Sequence, residues 1–166
     1  MTLPMQHRIR SAVLVVDGDS ILLVKHKHPQ TGVEWWVPPG GGVKGDESIF
    51  DCARRETFEE SGLAVELEDI VYIREFIELE VPRHHMEFFI WAKSYKGDVT
   101  IRNLVAGEPD AHVIQEARFV PRVELAKLTV FPEILKDAFW DNLQLGFPGP
   151  KYLCMQWQDP KQFART

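Results

Sequence analysis

The chain has 166 residues, 45% of them hydrophobic, and a formal net charge of −6. That length suits one domain burying roughly 70% of its unfolded surface, and the acidic balance argues against a nucleic-acid polymer as partner, because phosphate backbones are held by basic surfaces. Cys52 and Cys154 form neither a disulfide framework nor a zinc spacing, no apolar run reaches about 18 residues, and no leader-like apolar segment follows MTLPMQHRIR, so a cytoplasmic protein without a membrane anchor is expected.

In chain order, residues 9–16 and 21–26 are apolar, β-branched runs joined by Asp17-Gly18-Asp19-Ser20, which predicts a β-hairpin. Residues 28–32 read as a loop through Pro29 and Gly32, and residues 34–38, with Trp35 and Trp36, as a short strand. Adjacent strand residues face opposite ways, so one tryptophan is expected in the core and the other at a surface or site. Pro38-Pro39-Gly40-Gly41-Gly42 then allows backbone to approach a ligand closely, and a carbonyl there can serve as an oxygen donor.

Asp46 is a good N-cap, Gly62 a good residue just past a helix end, and residues 47–61 hold no Gly or Pro, which predicts one helix. On a helical wheel Glu56, Glu59 and Glu60 fall within an arc of roughly 100°. Ile49, Phe50, Ala53 and Thr57 form the adjoining stripe that pins the helix to a core. Like charges at these spacings repel, so a cation should offset them. Arg55, four residues before Glu59, neutralises one, and the clustered oxygens remain a natural seat for Mg²⁺ or Mn²⁺. The competing reading is a solvated acidic helix face.

Residues 70–81 and 86–95 are long strand candidates around a turn at Pro82-Arg83-His84-His85, whose histidines are expected in solvent without a metal. Alternation in the second strand puts Met86, Phe88 and Ile90 on one face and Glu87, Phe89 and Trp91 on the other, with Glu87 available to a site. Residues 103–112 read as a mobile loop, 115–121 as a short strand, 123–128 as a helix, and 132–145 as a packing helix with Ile134, Leu135, Ala138, Phe139 and Leu143 at helical spacing. Residues 146–166 form a tail whose Tyr152, Leu153 and Trp157 suit the surface or a partner subunit.

Gly41, five residues, Glu47, seven residues, then Arg55-Glu56-Thr57-Phe58-Glu59-Glu60-Ser61-Gly62-Leu63 resembles the Nudix box, with Thr57 replacing an apolar residue as the only softening. The resemblance covers residues 41–63. It implies an α/β/α sandwich around a curved mixed sheet, with the box as loop-helix-loop, and one domain over residues 1–166. It further implies hydrolysis of a pyrophosphate bond with Mg²⁺, or Mn²⁺, gathered by Glu56, Glu59, Glu60 and the Gly40 carbonyl. Arg55 would orient the acids and Glu47 would stabilise the loop-helix geometry. Glu56 would take the proton from water, or Glu116, since such proteins commonly carry an acidic residue on the loop before the last strand. Trp35 or Trp36 would stack on a base, with Glu87 nearby.

The expected substrate is a small nucleotide, a nucleoside diphosphate linked to another moiety, and an ordinary or oxidised nucleoside triphosphate is the alternative. Glu78 and Leu79 stand about where a Pro or a Tyr would mark ADP-ribose or dinucleoside polyphosphate subfamilies, and neither marker is met. An isopentenyl diphosphate isomerase also uses the box, but neither Cys52 nor Cys154 is well placed for it. A non-catalytic nucleotide sensor is disfavoured by the intact acids. A monomer or a homodimer fits equally.

Overall fold

A computed structural model describes residues 4–79 and 81–157. The first apolar run is buried on both sides: Ala12 and Leu14 enter one core cluster, Val13 and Val15 the other. A strand of that kind belongs in the middle of a sheet. Accordingly β1 (Gln6–Leu14) lies between β5 (Gly40–Gly42), antiparallel, and β7 (Arg83–Lys96), parallel, with Ala12 opposite Phe89 and Val13 opposite Ile90. β6 (Ala64–Glu78) continues this mixed sheet, and β9 (Lys151–Trp157) forms its edge in the order β5-β1-β7-β6-β9.

The expected hairpin is only partly formed. After Leu14 the chain crosses to a second, antiparallel sheet, where β2 (Val16–Asp17) pairs β3 (Ser20–Lys27) around Gly18, at φ 60°. The apolar residues of β3 pair instead with β4 (Glu34–Val37) and β8 (Ile114–Pro121). The sandwich's sheet is thus split in two. α1 (Ile49–Ser61) covers one side through Ala53, Ile49 and Phe50. The other side is covered by α3 (Arg122–Leu125), a 3₁₀ turn (Glu133–Lys136) and α4 (Ala138–Gln144), through Leu125, Leu135, Phe139 and Trp140.

α1 starts later than expected. Its N-cap is Ser48, not Asp46: the Ser48 hydroxyl accepts from Asp51 N (3.1 Å), and Asp51 accepts from Ser48 N (3.2 Å). This reciprocal pair satisfies two otherwise orphaned donors, which a lone aspartate two residues upstream cannot do. Gly62 ends the helix as expected, at φ 76°, where a Cβ would meet Thr100 Cγ2 at 2.5 Å.

Both long strands extend beyond the expected bounds. β6 begins at Ala64 and absorbs its polar stretch through register irregularities between Glu66 and Tyr72. β7 begins at Arg83, so His84 and His85 are strand residues and not solvated turn residues. Each reaches across to β6, His84 to Glu75 and His85 to Glu78 (3.1 Å), and His85 is buried. These cross-strand His–Glu pairs place polar residues in a strand.

The single packing helix over residues 132–145 is broken at Asp137, whose side chain caps Ala138 N and starts α4 afresh. Ile134, Leu135, Phe139 and Leu143 pack in the core as expected, and Ala138 does not join the cluster. The loop before β8 ends in a short helix, α2 (Asp110–Val113). The tail is a sheet edge from Lys151 to Trp157, parallel to β6, and its last residues lie outside those described. Among the described residues no helix is long and apolar enough to cross a membrane.

Candidate active site

Three consecutive glycines bring backbone against strand, acid and base in turn. A Cβ would sit 2.4 Å from the Ser11 carbonyl oxygen at Gly40, 2.4 Å from the Glu56 carboxylate carbon at Gly41, and 2.3 Å from the Arg8 guanidinium at Gly42. No other residue type fits there without displacing one of these groups.

Arg55 organises the helix margin. Its Nε and Nη2 donate to the two Glu47 oxygens (3.0 and 2.6 Å), and Nη1 donates to Glu56 Oε1 (2.7 Å) and Glu59 Oε2 (3.3 Å). Lys44 N also donates to Glu47 (2.8 Å), which ties the loop to the helix. The Arg55 hydrogen bonds hold the Glu47 carboxyl down to about 2.

Among the described residues Glu60 has no such counterion. Only 1% exposed, it accepts from Gly40 N at Oε2 (2.9 Å), while its Oε1 is buried and finds no hydrogen-bond partner among them. Burial first, then the charges of Asp110 and Glu56, push its carboxyl well above the usual range. Burial likewise raises Glu56, against the opposing pull of Arg55. A buried carboxylate with an orphaned oxygen among other acids is the environment that a hard cation relieves. Glu60, Asp110 and His26 each offer a ligand atom within 4.8 Å of the others. Burial pushes His26 down to about 4, so its imidazole is neutral at pH 7.

A cavity of about 690 Å³ includes Asp110 and His26 in its wall and runs along the mixed sheet past Arg8, Arg10, Arg74 and Arg83. Glu87 is buried in it, accepting from Arg74 Nε (3.1 Å) and Nη2 on one oxygen and from Arg10 Nε (3.5 Å) on the other. Burial alone would raise the Glu87 carboxyl; Arg74 and Arg10 together hold it below the usual range. Arg8 has no carboxylate within ion-pair distance among the described residues, and burial with the nearby Arg10 and Arg83 lowers its pKa. The four arginines are matched in number by Glu78, Glu87, Asp110 and Glu133 in the same wall, which leaves Arg8, among the described residues, as the unpaired cation facing the cavity, next to an acid cluster short of positive charge. A phosphate chain carrying a metal ion complements both.

The NUDIX domain profile matches residues 5–139, most of the chain. The chain belongs to the Nudix family. An uncharacterised Nudix hydrolase, YvcI of Bacillus subtilis, is 29% identical over 117 residues, covering 69% of this chain and 70% of that protein. An m7GpppN-mRNA hydrolase, NUDT17 of Danio rerio, is 33% identical over 85 residues, but the match spans 45% of this chain and only 28% of that protein. Among solved structures, a NUDIX hydrolase from Nitrosomonas europaea superposes with a TM-score of 0.68 at 18% identity, over 87% of this chain and 93% of that one. The E. coli ORF135 protein gives 0.65 at 20%, over 87% and 95%. These two likenesses concern the fold. Nudix enzymes hydrolyse pyrophosphate bonds and generally use divalent metal ions.

In this Nudix domain Gly40, Arg55, Glu56, Glu59 and Glu60 come together at the box, and Glu87 and Trp35 line the cavity beside it. Trp36 does not: it is 5% exposed in the core, with the Arg118 guanidinium 4.9 Å from its ring.

Glu116 is also elsewhere. It shares its side of β8 with Arg118 and Val120, and Val120 packs in the cluster away from α1, whereas Phe119 packs towards α1. Its carboxylate pairs with Arg118 (3.2 Å) and is about half exposed. Strand alternation thus turns Glu116 away from the box helix. The carboxylate ahead of β8 that does face Glu60 is Asp110, six residues upstream, together with His26 from β3. A lone acid within a polar loop and a histidine closing an apolar strand give no periodic signal; Leu22, Val24 and His26 in alternation were the available hint.

Proposed function

We propose that this chain hydrolyses a pyrophosphate bond in a nucleoside diphosphate linked to another moiety, with Glu56, Glu59, Glu60, Asp110 and the Gly40 carbonyl holding Mg²⁺ or Mn²⁺. The unpartnered, buried Glu60 oxygen carries this reading. The ions supply charge neutralisation of the diphosphate and acidification of a water. Arg55 occupies Glu56 Oε1 and leaves Oε2, through which Glu56 would serve either as an oxygen ligand of an ion or as the base that takes a proton from water as its oxygen attacks phosphorus. The bond to the bridging oxygen breaks, leaving two phosphate monoesters. Arg8 and Arg10 orient the phosphates from the cavity wall, while Glu87 keeps Arg74 and Arg10 in place. The NUDT17 relative, matched over 28% of its own length, is named for hydrolysis of m7GpppN-mRNA. One domain over residues 1–166 in the cytoplasm fits this work.

Trp35 supplies a stacking face: it lies against the His26 ring (centroids 5.5 Å apart, 20° between planes) at the cavity. Trp35→Ala is expected to raise KM roughly tenfold, the value of losing one base stack, with kcat and folding nearly unchanged. Trp36→Ala should instead cost about 3–5 kcal/mol in stability through the hole it leaves. Steady-state kinetics and urea denaturation of the two variants separate these outcomes.

The function itself is tested by incubating the full chain and Mg²⁺ with nucleoside triphosphates, sugar nucleotides, ADP-ribose and dinucleoside polyphosphates, then identifying products. Two monophosphates are expected from a diphosphate-linked substrate. Release of pyrophosphate from triphosphates alone would contradict the substrate class. Tight binding without turnover of any substrate would overturn hydrolysis in favour of a sensor.

A further inference from the structure

Among the described residues His26, His84 and His85 lie near carboxylates, and His26 differs from the other two. His84 and His85 each bond a glutamate through Nε2. His26 has ligand atoms within 4.8 Å of the Glu60 and Asp110 carboxylates yet, among the described residues, forms no ion pair with either. A histidine placed to satisfy a buried acid would sit at hydrogen-bond distance; a wider triangle around a common centre is what ligands of one ion make.

The local backbone is built to present this ring. The β3–β8 register slips between Lys25 and His26, so that Lys25 faces Glu116 while His26 faces Ile114. Such irregularities re-aim a side chain beside a site. Trp35 stacks on the imidazole and fixes its plane. His26 Nδ1 lies 3.4 Å from the Val24 carbonyl oxygen. With that nitrogen donating to the carbonyl, Nε2 carries the free lone pair, the arrangement by which a backbone acceptor sets the tautomer of a metal-binding histidine. Glu60 meanwhile keeps one oxygen buried and unpartnered.

We propose that His26 is a nitrogen ligand of a divalent ion held with Glu60 and Asp110, so that this position favours a first-row transition ion, Mn²⁺ included, over Mg²⁺. The inference rests on the reading of the acids as a metal site. Its basis is donor chemistry: all-oxygen sites suit Mg²⁺, whereas imidazole favours first-row transition ions.

The test is pulsed electron paramagnetic resonance of the full chain loaded with Mn²⁺ alone, prepared with ordinary and with ¹⁵N-labelled histidine. A nitrogen coupling that changes with the label and disappears in His26→Gln is expected. The same substitution should weaken Mn²⁺ binding about tenfold or more, with Mg²⁺ binding changed much less. Bound Mn²⁺ with no label-sensitive coupling, or a coupling that persists in His26→Gln, would overturn the histidine ligand and leave the acid site standing. Failure of the chain to bind Mn²⁺ would overturn both. The labelled wild-type protein gives the answer even where the variant is unstable.

Discussion

Glu60→Gln is expected to lower kcat by roughly a thousandfold or more while making the metal-free protein more stable. The catalytic loss follows from charge: a bound ion supplies several kcal/mol of transition-state stabilisation, and each 1.36 kcal/mol is about a factor of ten. The gain in stability follows from burial. The Glu60 carboxyl is raised in the fold by desolvation and by Asp110 and Glu56. A carboxyl raised above its unfolded value opposes folding once pH exceeds that unfolded value, near 4.5, and the penalty grows with pH until the folded group ionises. Glutamine keeps the hydrogen bond from Gly40 N and removes the charge. Melting temperatures in chelator should therefore coincide below about pH 4 and separate as pH rises, with the variant higher. Adding Mg²⁺ should raise the wild type much more than the variant. Unchanged kcat, or a variant less stable at pH 8 in chelator, would contradict this account.

Arg55→Ala should cost about 3 kcal/mol in stability at pH 7. Arg55 bridges Glu47, Glu56 and Glu59, and its removal leaves the nearly buried Glu56 without a counterion. Breaking a buried pair costs about 3–5 kcal/mol, and Arg55 retains some solvent contact, which favours the lower end. The loss has a pH signature. Glu47 is held down to about 2 by Arg55, so its contribution is complete above the unfolded carboxyl value of 4.5 and fades as pH falls from there towards 2. Urea denaturation should show the variant well below wild type at pH 7 and the gap narrowing by pH 3. A gap independent of pH would mean that Arg55 acts through packing and not through the Glu47 pair.

What the sequence disclosed was local, and what it concealed was long-range. The helix, its closing Gly62 and the margin of Glu56, Glu59 and Glu60 follow from spacing within one turn or two, where period 3.6 leaves a direct trace. The split of the first apolar run between two sheets did not, because Ala12–Val15 reads the same whether its partner is the next strand or β7, some seventy residues later. Asp110 escaped for the same reason: its approach to Glu60 depends on β8 docking against β3, and Glu116 looked equivalent until strand alternation turned it outward. His84 and His85 were misread because Pro82-Arg83 suggested a turn, whereas the β6 glutamates opposite them made strand positions tenable. Trp35 and Trp36 illustrate the limit of pattern: alternation required one inside and one outside, and only packing decided which.

The central claim is that Glu60 and its neighbours form the seat of a divalent cation. Titration calorimetry of the full chain with Mn²⁺ at pH 6, in two buffers of different ionisation enthalpy, tests it most directly. Burial raises the Glu60 carboxyl and an ion bound there favours its ionised form, so wild type should bind with net proton release, and Glu60→Gln should bind far more weakly and release fewer protons. Equal affinity in the two proteins, with no difference in proton release, would place the ion elsewhere and contradict the account.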